Sequence, residues 1–155
     1  MPKKELVEGD AAPDFALNDA AGEKVKLSDF KNKKNVVLYF YPKDMTPGCT
    51  QEACDFSANL AKFNKKDAVI LGLSFDSEAS HQKFILKNGL KIRLLSDPDK
   101  KAANAYGVYQ EKSLYGRKFM GIVRSTFVID KKGKIKKIFP KVKVNGHWEA
   151  VLQEL

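Results

Sequence analysis

The run Asn35-Val36-Val37-Leu38-Tyr39-Phe40-Tyr41 constrains this chain more than any other stretch. It carries no charge and no polar alternation, so it has no face to give to water. Its β-branched and aromatic side chains suit a central strand covered on both sides. Residues 68–75 and 125–130 repeat the pattern. Helix signals fall between these strands, over residues 47–63, from 77 or 80 to 87 with Asn88-Gly89 as a stop, over 99–105, and over 148–155. Strands alternating with helices indicate a three-layer α/β domain. Residues 1–33 read as an extension with a hairpin, in which Phe15-Ala16-Leu17 and Val25-Lys26-Leu27 flank the turn-rich Asn18-Asp19-Ala20-Ala21-Gly22. Lys131-Lys132-Gly133-Lys134 turns into Ile135-Lys136-Lys137-Ile138-Phe139, an edge hairpin carrying protective lysines. The polar, glycine-containing residues 110–121 read as a long loop.

With 155 residues and no internal repeat, the whole chain, 1–155, reads as one domain with a real core. No apolar run approaches the roughly 18 residues of a membrane span. The N-terminus has positive charge but no apolar stretch, so a secretory signal is not expected and a cytoplasmic location is. The net charge is +9, from 28 basic and 19 acidic residues. The lysines are scattered in pairs without a zinc-finger or glycine-aromatic RNA motif. They read as a soluble surface rather than a nucleic-acid site.

The chain has two cysteines, Cys49 and Cys54. A disulfide across so short a loop would stabilise little, and a metal site lacks further ligands, with His81 and His147 far off in sequence. The run Pro42-Lys43-Asp44-Met45-Thr46-Pro47-Gly48-Cys49 leaves the first central strand and starts a helix. Thr46 suits the N-cap and Pro47 the first helical position. Cys49 then takes the third position, where a capping box places Glu or Gln. Free N–H groups and the positive helix end favour a thiolate there. Ala53, Phe56, Leu60 and Phe63 share its helix face within about 40°. Cys49 is therefore either a small core residue or a functional thiol, and the helix-end position with Thr46 and Thr50 nearby favours the second. Cys54 lies about 140° around the helix and roughly 8.6 Å away between Cα atoms, beyond disulfide reach. Either no disulfide forms, or oxidation unwinds the first turns; we favour unwinding. Pro42 removes a backbone donor beside the thiol, and Thr46 brings a hydroxyl. Arg124 offers a fixed cation, with Arg93 and Arg117 as competitors. Glu52, Gln51 and His81 are further neighbours in principle, though His81 reads as a solvated residue on the second helix.

The stretch Pro42 to Cys49 matches the peroxiredoxin pattern P-x-x-x-T-x-x-C, and Cys49-Thr50-Gln51-Glu52-Ala53-Cys54 resembles the peroxiredoxin Q, or bacterioferritin comigratory, subfamily. Gly9-Asp10-Ala11-Ala12-Pro13-Asp14-Phe15, Ser74-Phe75-Asp76-Ser77, Leu95-Ser96-Asp97-Pro98, Tyr106-Gly107-Val108 and Arg124-Ser125-Thr126-Phe127 extend the resemblance over nearly the whole chain. It implies a thioredoxin-like three-layer fold with a central mixed sheet. It implies reduction of hydrogen peroxide and organic hydroperoxides by Cys49, with Thr46 bonding the peroxide, Pro42 shielding the sulfur and Arg124 holding both. Cys54 matches the resolving position, whose disulfide with Cys49 a thioredoxin-type dithiol reduces. No metal or other cofactor and no nucleic-acid or membrane partner is expected, since no glycine-rich phosphate loop, nucleic-acid motif or apolar span is present, and the subfamily that the chain resembles is often monomeric. A protein thiol–disulfide oxidoreductase is a weaker alternative, because its cysteines stand two residues apart. A basic nucleic-acid-binding module is another.

Overall fold

The structure, a computed structural model, describes residues 5–155. In chain order the elements are β1 (Ala16–Asp19), β2 (Lys24–Lys26), β3 (Asn35–Phe40), α1 (Pro47–Ala58), α2 (Leu60–Asn64), β4 (Ala68–Ser74), α3 (Glu78–Asn88), β5 (Arg93–Ser96), α4 (Lys101–Ala105), β6 (Tyr109–Leu114), β7 (Arg117–Ile122), β8 (Ser125–Ile129), β9 (Ile135–Phe139) and α5 (His147–Gln153). Seven strands form one sheet in the order β2-β1-β5-β4-β3-β8-β9. β3, β4 and β5 run parallel, and the other pairings are antiparallel. The sheet is mixed, as the resemblance implies.

The uninterrupted apolar run becomes β3 because each of its faces meets a separate core. Successive strand residues point to opposite sides. Val36, Leu38 and Phe40 pack with Leu71, Phe127 and Ile129 beneath Ala102, Ala103 and Tyr106 of the α4 region. Val37, Tyr39 and Tyr41 pack with Ile70, Leu94 and Val128 beneath α1, α2, α3 and α5, through Phe56, Phe63, Phe84 and Val151. Three layers follow. The N-terminal hairpin forms as expected, with Leu17 opposite Val25, and extends the sheet by pairing with β5. Its turn is closed by the Asp19 carboxylate, which accepts from the N–H groups of Ala21 and Glu23. At the other edge β9 carries Lys136 and Lys137.

Several boundaries differ from the sequence expectation. The first helix stops at Ala58 rather than running to 63. Asn59 departs from helical geometry (φ −107°, ψ 12°), and its side-chain amide donates to the Asp55 carbonyl at 2.8 Å. A side chain that competes for the helix's own acceptor ends the helix, and α2 begins at Leu60. The residues read as a long loop form a two-stranded ribbon, β6 and β7, separate from the main sheet. Tyr115 and Gly116 at its tip have φ of +52° and +76°, which closes a two-residue hairpin turn. Most of the ribbon is exposed, so it lacks the alternation that marks a half-buried strand. The second helix matches its signals: Ser77 accepts from the Ser80 N–H at 3.1 Å, and Gly89 ends it at φ +59°. Among the described residues no helix is long and apolar enough to cross a membrane.

Gly72 in β4 lets the sheet close beneath Tyr39. A Cβ there would stand 2.7 Å from the Tyr39 ring and hydroxyl and 2.8 Å from Leu94 Cδ2. Gly72→Ala is expected to destabilise by about 1–3 kcal/mol through overpacking, measured as a lowered urea midpoint with an unchanged slope.

Candidate active site

The β3 strand lies between β4 and β8 inside the sheet, and the chain leaving it turns through residues 42–46 into α1. Thr46 takes the N-cap position with extended geometry (φ −87°, ψ 151°), and Pro47 opens the helix. The hydroxyl of Thr46 does not cap, contrary to the expectation. It donates to the Lys43 carbonyl at 2.8 Å and so tightens the preceding turn. The N–H groups of the first helical turn receive no side-chain cap. Cys49 lies on that turn, only 1% exposed, facing the core with Ala53, Phe56 and Phe63. Pro42 is half-buried, two residues past the end of β3.

Arg124 immediately precedes β8, on the strand beside β3. Its Nη2 donates to Cys49 Sγ at 3.1 Å, and its Nη1 donates to Glu52 Oε1 at 2.6 Å. Gly48 makes room for this fork: a Cβ there would stand 3.2 Å from Arg124 Nη2. Arg93, a competitor on sequence, is taken up by Asp19 and Glu23 at the far edge of the sheet, and Arg117 lies exposed in the ribbon. Glu52, left open by the sequence, belongs to the site. Gln51 points away and donates along the helix to Asp55. Cys54 is half-buried, and both cysteines are free thiols on an intact helix.

His81 corrects the sequence reading outright, since it is fully buried rather than solvated. Its Nδ1 lies 2.7 Å from Asp44 Oδ2 and its Nε2 lies 2.9 Å from the Leu95 carbonyl. Asp44 also accepts from Tyr41 and Ser80. A single histidine in a polar helix gives no sequence sign of such burial, because its partners come from distant elements.

Known proteins resemble this chain over nearly its whole length. A family model described as AhpC/TSA matches residues 8–138. The chain belongs to the AhpC/TSA family. Peroxiredoxin Bcp of Bacillus subtilis is 52% identical over 147 residues, covering 95% of this chain and 93% of its own. Peroxiredoxin Bcp of Escherichia coli is 42% identical over 150 residues, covering 97% and 96%. Among solved structures, the Xanthomonas campestris bacterioferritin comigratory protein, studied for alkyl peroxide reduction, superposes with a TM-score of 0.88 at 41% identity, covering 97% of this chain and 96% of its own. A cysteine-to-serine mutant of Xylella fastidiosa peroxiredoxin Q reaches 0.91 at 37% identity, covering 98% and 96%. The thioredoxin-like fold and the peroxiredoxin class of enzyme follow for this chain.

In this peroxiredoxin the charges around Cys49 oppose one another. Burial pushes the Glu52 carboxyl up to about 7, with the Arg124 guanidinium pulling it down and Asp55 adding to the rise. Burial lowers His147 to about 4, helped by the Arg124 charge. His147 bonds Thr126 through Nε2 at 2.8 Å and packs its ring edge-on to Phe56. The two groups act in opposite senses on stability. The raised Glu52 contributes stability that is fully present below its ordinary value of 4.5 and is lost as pH rises through about 7. The lowered His147 contributes stability present above its ordinary value and lost as pH falls through about 4. Glu52→Gln isolates the first effect. Its stability relative to the parent is expected to increase by on the order of 2 kcal/mol between about pH 5 and pH 8, read by urea unfolding at each pH.

Proposed function

We propose that Cys49 is the peroxide-attacking thiol and Cys54 its resolving partner, in a cycle driven by a thioredoxin-type dithiol. The observation that carries this is the Arg124 guanidinium held at 3.1 Å from Cys49 Sγ at the start of α1. A guanidinium and uncapped helix N–H groups both favour a thiolate over a thiol. The thiolate attacks one peroxide oxygen, the O–O bond breaks, and the distal oxygen leaves as water or an alcohol once protonated. Sulfur is oxidised to a sulfenic acid and the peroxide is reduced. Arg124, already charged, stabilises the negative charge that develops on the departing oxygen. Thr46 stands at the helix start to hydrogen-bond the peroxide, and Pro42 keeps a water-binding backbone donor away from the sulfur.

The second step needs movement. Two cysteines five residues apart on one helix cannot approach within disulfide distance. The first turns of α1 unwind, the Cys54 sulfur displaces hydroxide from the Cys49 sulfenic acid, and a disulfide and water result. A dithiol then reduces it through a mixed disulfide. Both thiols belong to one helix, so a single chain suffices, and a reducing compartment such as the cytoplasm supplies the dithiol.

Two measurements test the reading. Fully reduced protein given one equivalent of hydrogen peroxide should lose both thiols within seconds. Cys49→Ser should abolish turnover. Cys54→Ser should still consume the first equivalent of peroxide, fail to turn over with thioredoxin, and overoxidise to the sulfinic acid more readily. Full thioredoxin-linked turnover of Cys54→Ser would contradict the role given to Cys54.

A further inference from the structure

A buried polar cluster lies beside the active-site turn and makes no contact with the reacting sulfur. It joins Tyr41, Asp44, Ser80, His81 and Asp76. We propose that Asp44 and His81 are positioning residues for peroxide reduction, whose buried pair pins the loop of residues 42–46, and with it Thr46 and the start of α1, to the sheet. This rests on Cys49 being the thiol that attacks peroxide.

Both ring nitrogens of His81 are held, and Nδ1 also lies 3.4 Å from the Tyr41 hydroxyl. Nδ1 meets the Asp44 carboxylate at 2.7 Å and Nε2 meets the Leu95 carbonyl at 2.9 Å. The ring thereby ties α3 to the active-site loop on one side and to β5 on the other. Burial alone would raise the Asp44 carboxyl, but the bonds from His81, Tyr41 and Ser80 outweigh it and hold it below the usual carboxylate range. The Asp44 N–H donates to Asp76 Oδ2 at 2.8 Å, and the same oxygen accepts from Ser74 at 2.7 Å. One loop residue is thus tied to the end of β3, the end of β4, α3 and, through His81, β5.

The residue after Asp44 shows what the ties achieve. Met45 has φ of +66°, in the left-handed region that a long side chain seldom adopts. Such a conformation persists where its surroundings over-determine it. Asp44 fixes one side of Met45, and the bond from the Thr46 hydroxyl to the Lys43 carbonyl fixes the other. Releasing Asp44 frees the hinge, so Thr46 loses its placement over the reacting oxygen. Arg124 is anchored separately, at β8, and stays by the sulfur. The loss should therefore fall on reaction with peroxide and spare the general reactivity of the thiol.

The experiment uses the full chain carrying Cys54→Ser, which leaves Cys49 as its one thiol. Second-order rates of thiol loss are measured with hydrogen peroxide and with iodoacetamide. Asp44→Asn is expected to lower the peroxide rate by at least about tenfold and the alkylation rate by less than about threefold. Ser80→Ala removes one bond to Asp44 and should shift the same ratio in the same direction by less, which keeps the test open if Asp44→Asn does not fold. Ile129→Val, a core change on the opposite face of the sheet, should leave the ratio unchanged. Equal losses in both rates, or an equal ratio change in Ile129→Val, overturns the proposal. A parent that keeps its thiol under peroxide overturns the reading of Cys49 and this proposal together. A reactive parent with unaffected variants overturns this proposal alone.

Discussion

Phe40 lies opposite Ser125 in the antiparallel pairing of β3 with β8, and that register decides where the chemistry sits. It sets the end of β3 beside the beginning of β8. The chain leaving β3 enters α1 and delivers Cys49, while the residue entering β8 is Arg124. A contact of 3.1 Å thus closes a separation of 75 residues. A slip of one residue would turn every side chain of β8 to the other face. The register is protected because Phe127 and Ile129 belong to one core and Val128 to the other. The same pairing brings the Arg124 fork between Cys49 and the buried Glu52, so sheet registry and site electrostatics share one cause.

The α1 helix serves two ends that pull against each other. It covers the sheet, and it holds two thiols that can meet only if it opens. Its composition divides these tasks along its length. The first turns hold Gly48, Cys49, Thr50, Gln51, Glu52 and Ala53, none of them a large apolar side chain, although Cys49, Glu52 and Ala53 are buried. Phe56 lies further along and is fully buried, and Phe63 anchors α2 beyond the break at Asn59. Opening the first turns exposes small side chains and leaves the large aromatic ones seated. Segments with few buried apolar contacts are the ones that unfold locally at low free energy. Glu52 adds to this tendency, since its ionised form is held in a buried place that disfavours it.

Much of this was legible in the residues. The apolar stripe of Cys49, Ala53, Phe56, Leu60 and Phe63 predicted one buried helix face; the structure buries all but Leu60, which is partly buried, and carries Leu60 and Phe63 on α2 rather than α1. Ser77 and Gly89 bounded α3 correctly because caps are local chemistry. The contact of Arg124 with the sulfur came from family resemblance, since spacing alone left three arginines competing. Non-local features escaped. The short β5 has only four residues and earns its place by pairing with β4 and β1. The β6–β7 ribbon has no buried face to write an alternation. His81 and Asp44 look like ordinary surface polar residues until the fold brings β3, α3 and β5 to one point. Thr46 sat where a cap belongs, yet its hydroxyl closes the turn behind it.

The proposed cycle requires oxidation to open the first turns of α1 while the rest of the fold stays closed. Amide exchange of the reduced and peroxide-oxidised protein, compared residue by residue, tests it most directly. Lost protection over residues 49–54 on oxidation, with β3, β4 and β8 equally protected in both forms, is the predicted result. Identical protection across α1 in the two forms would contradict it.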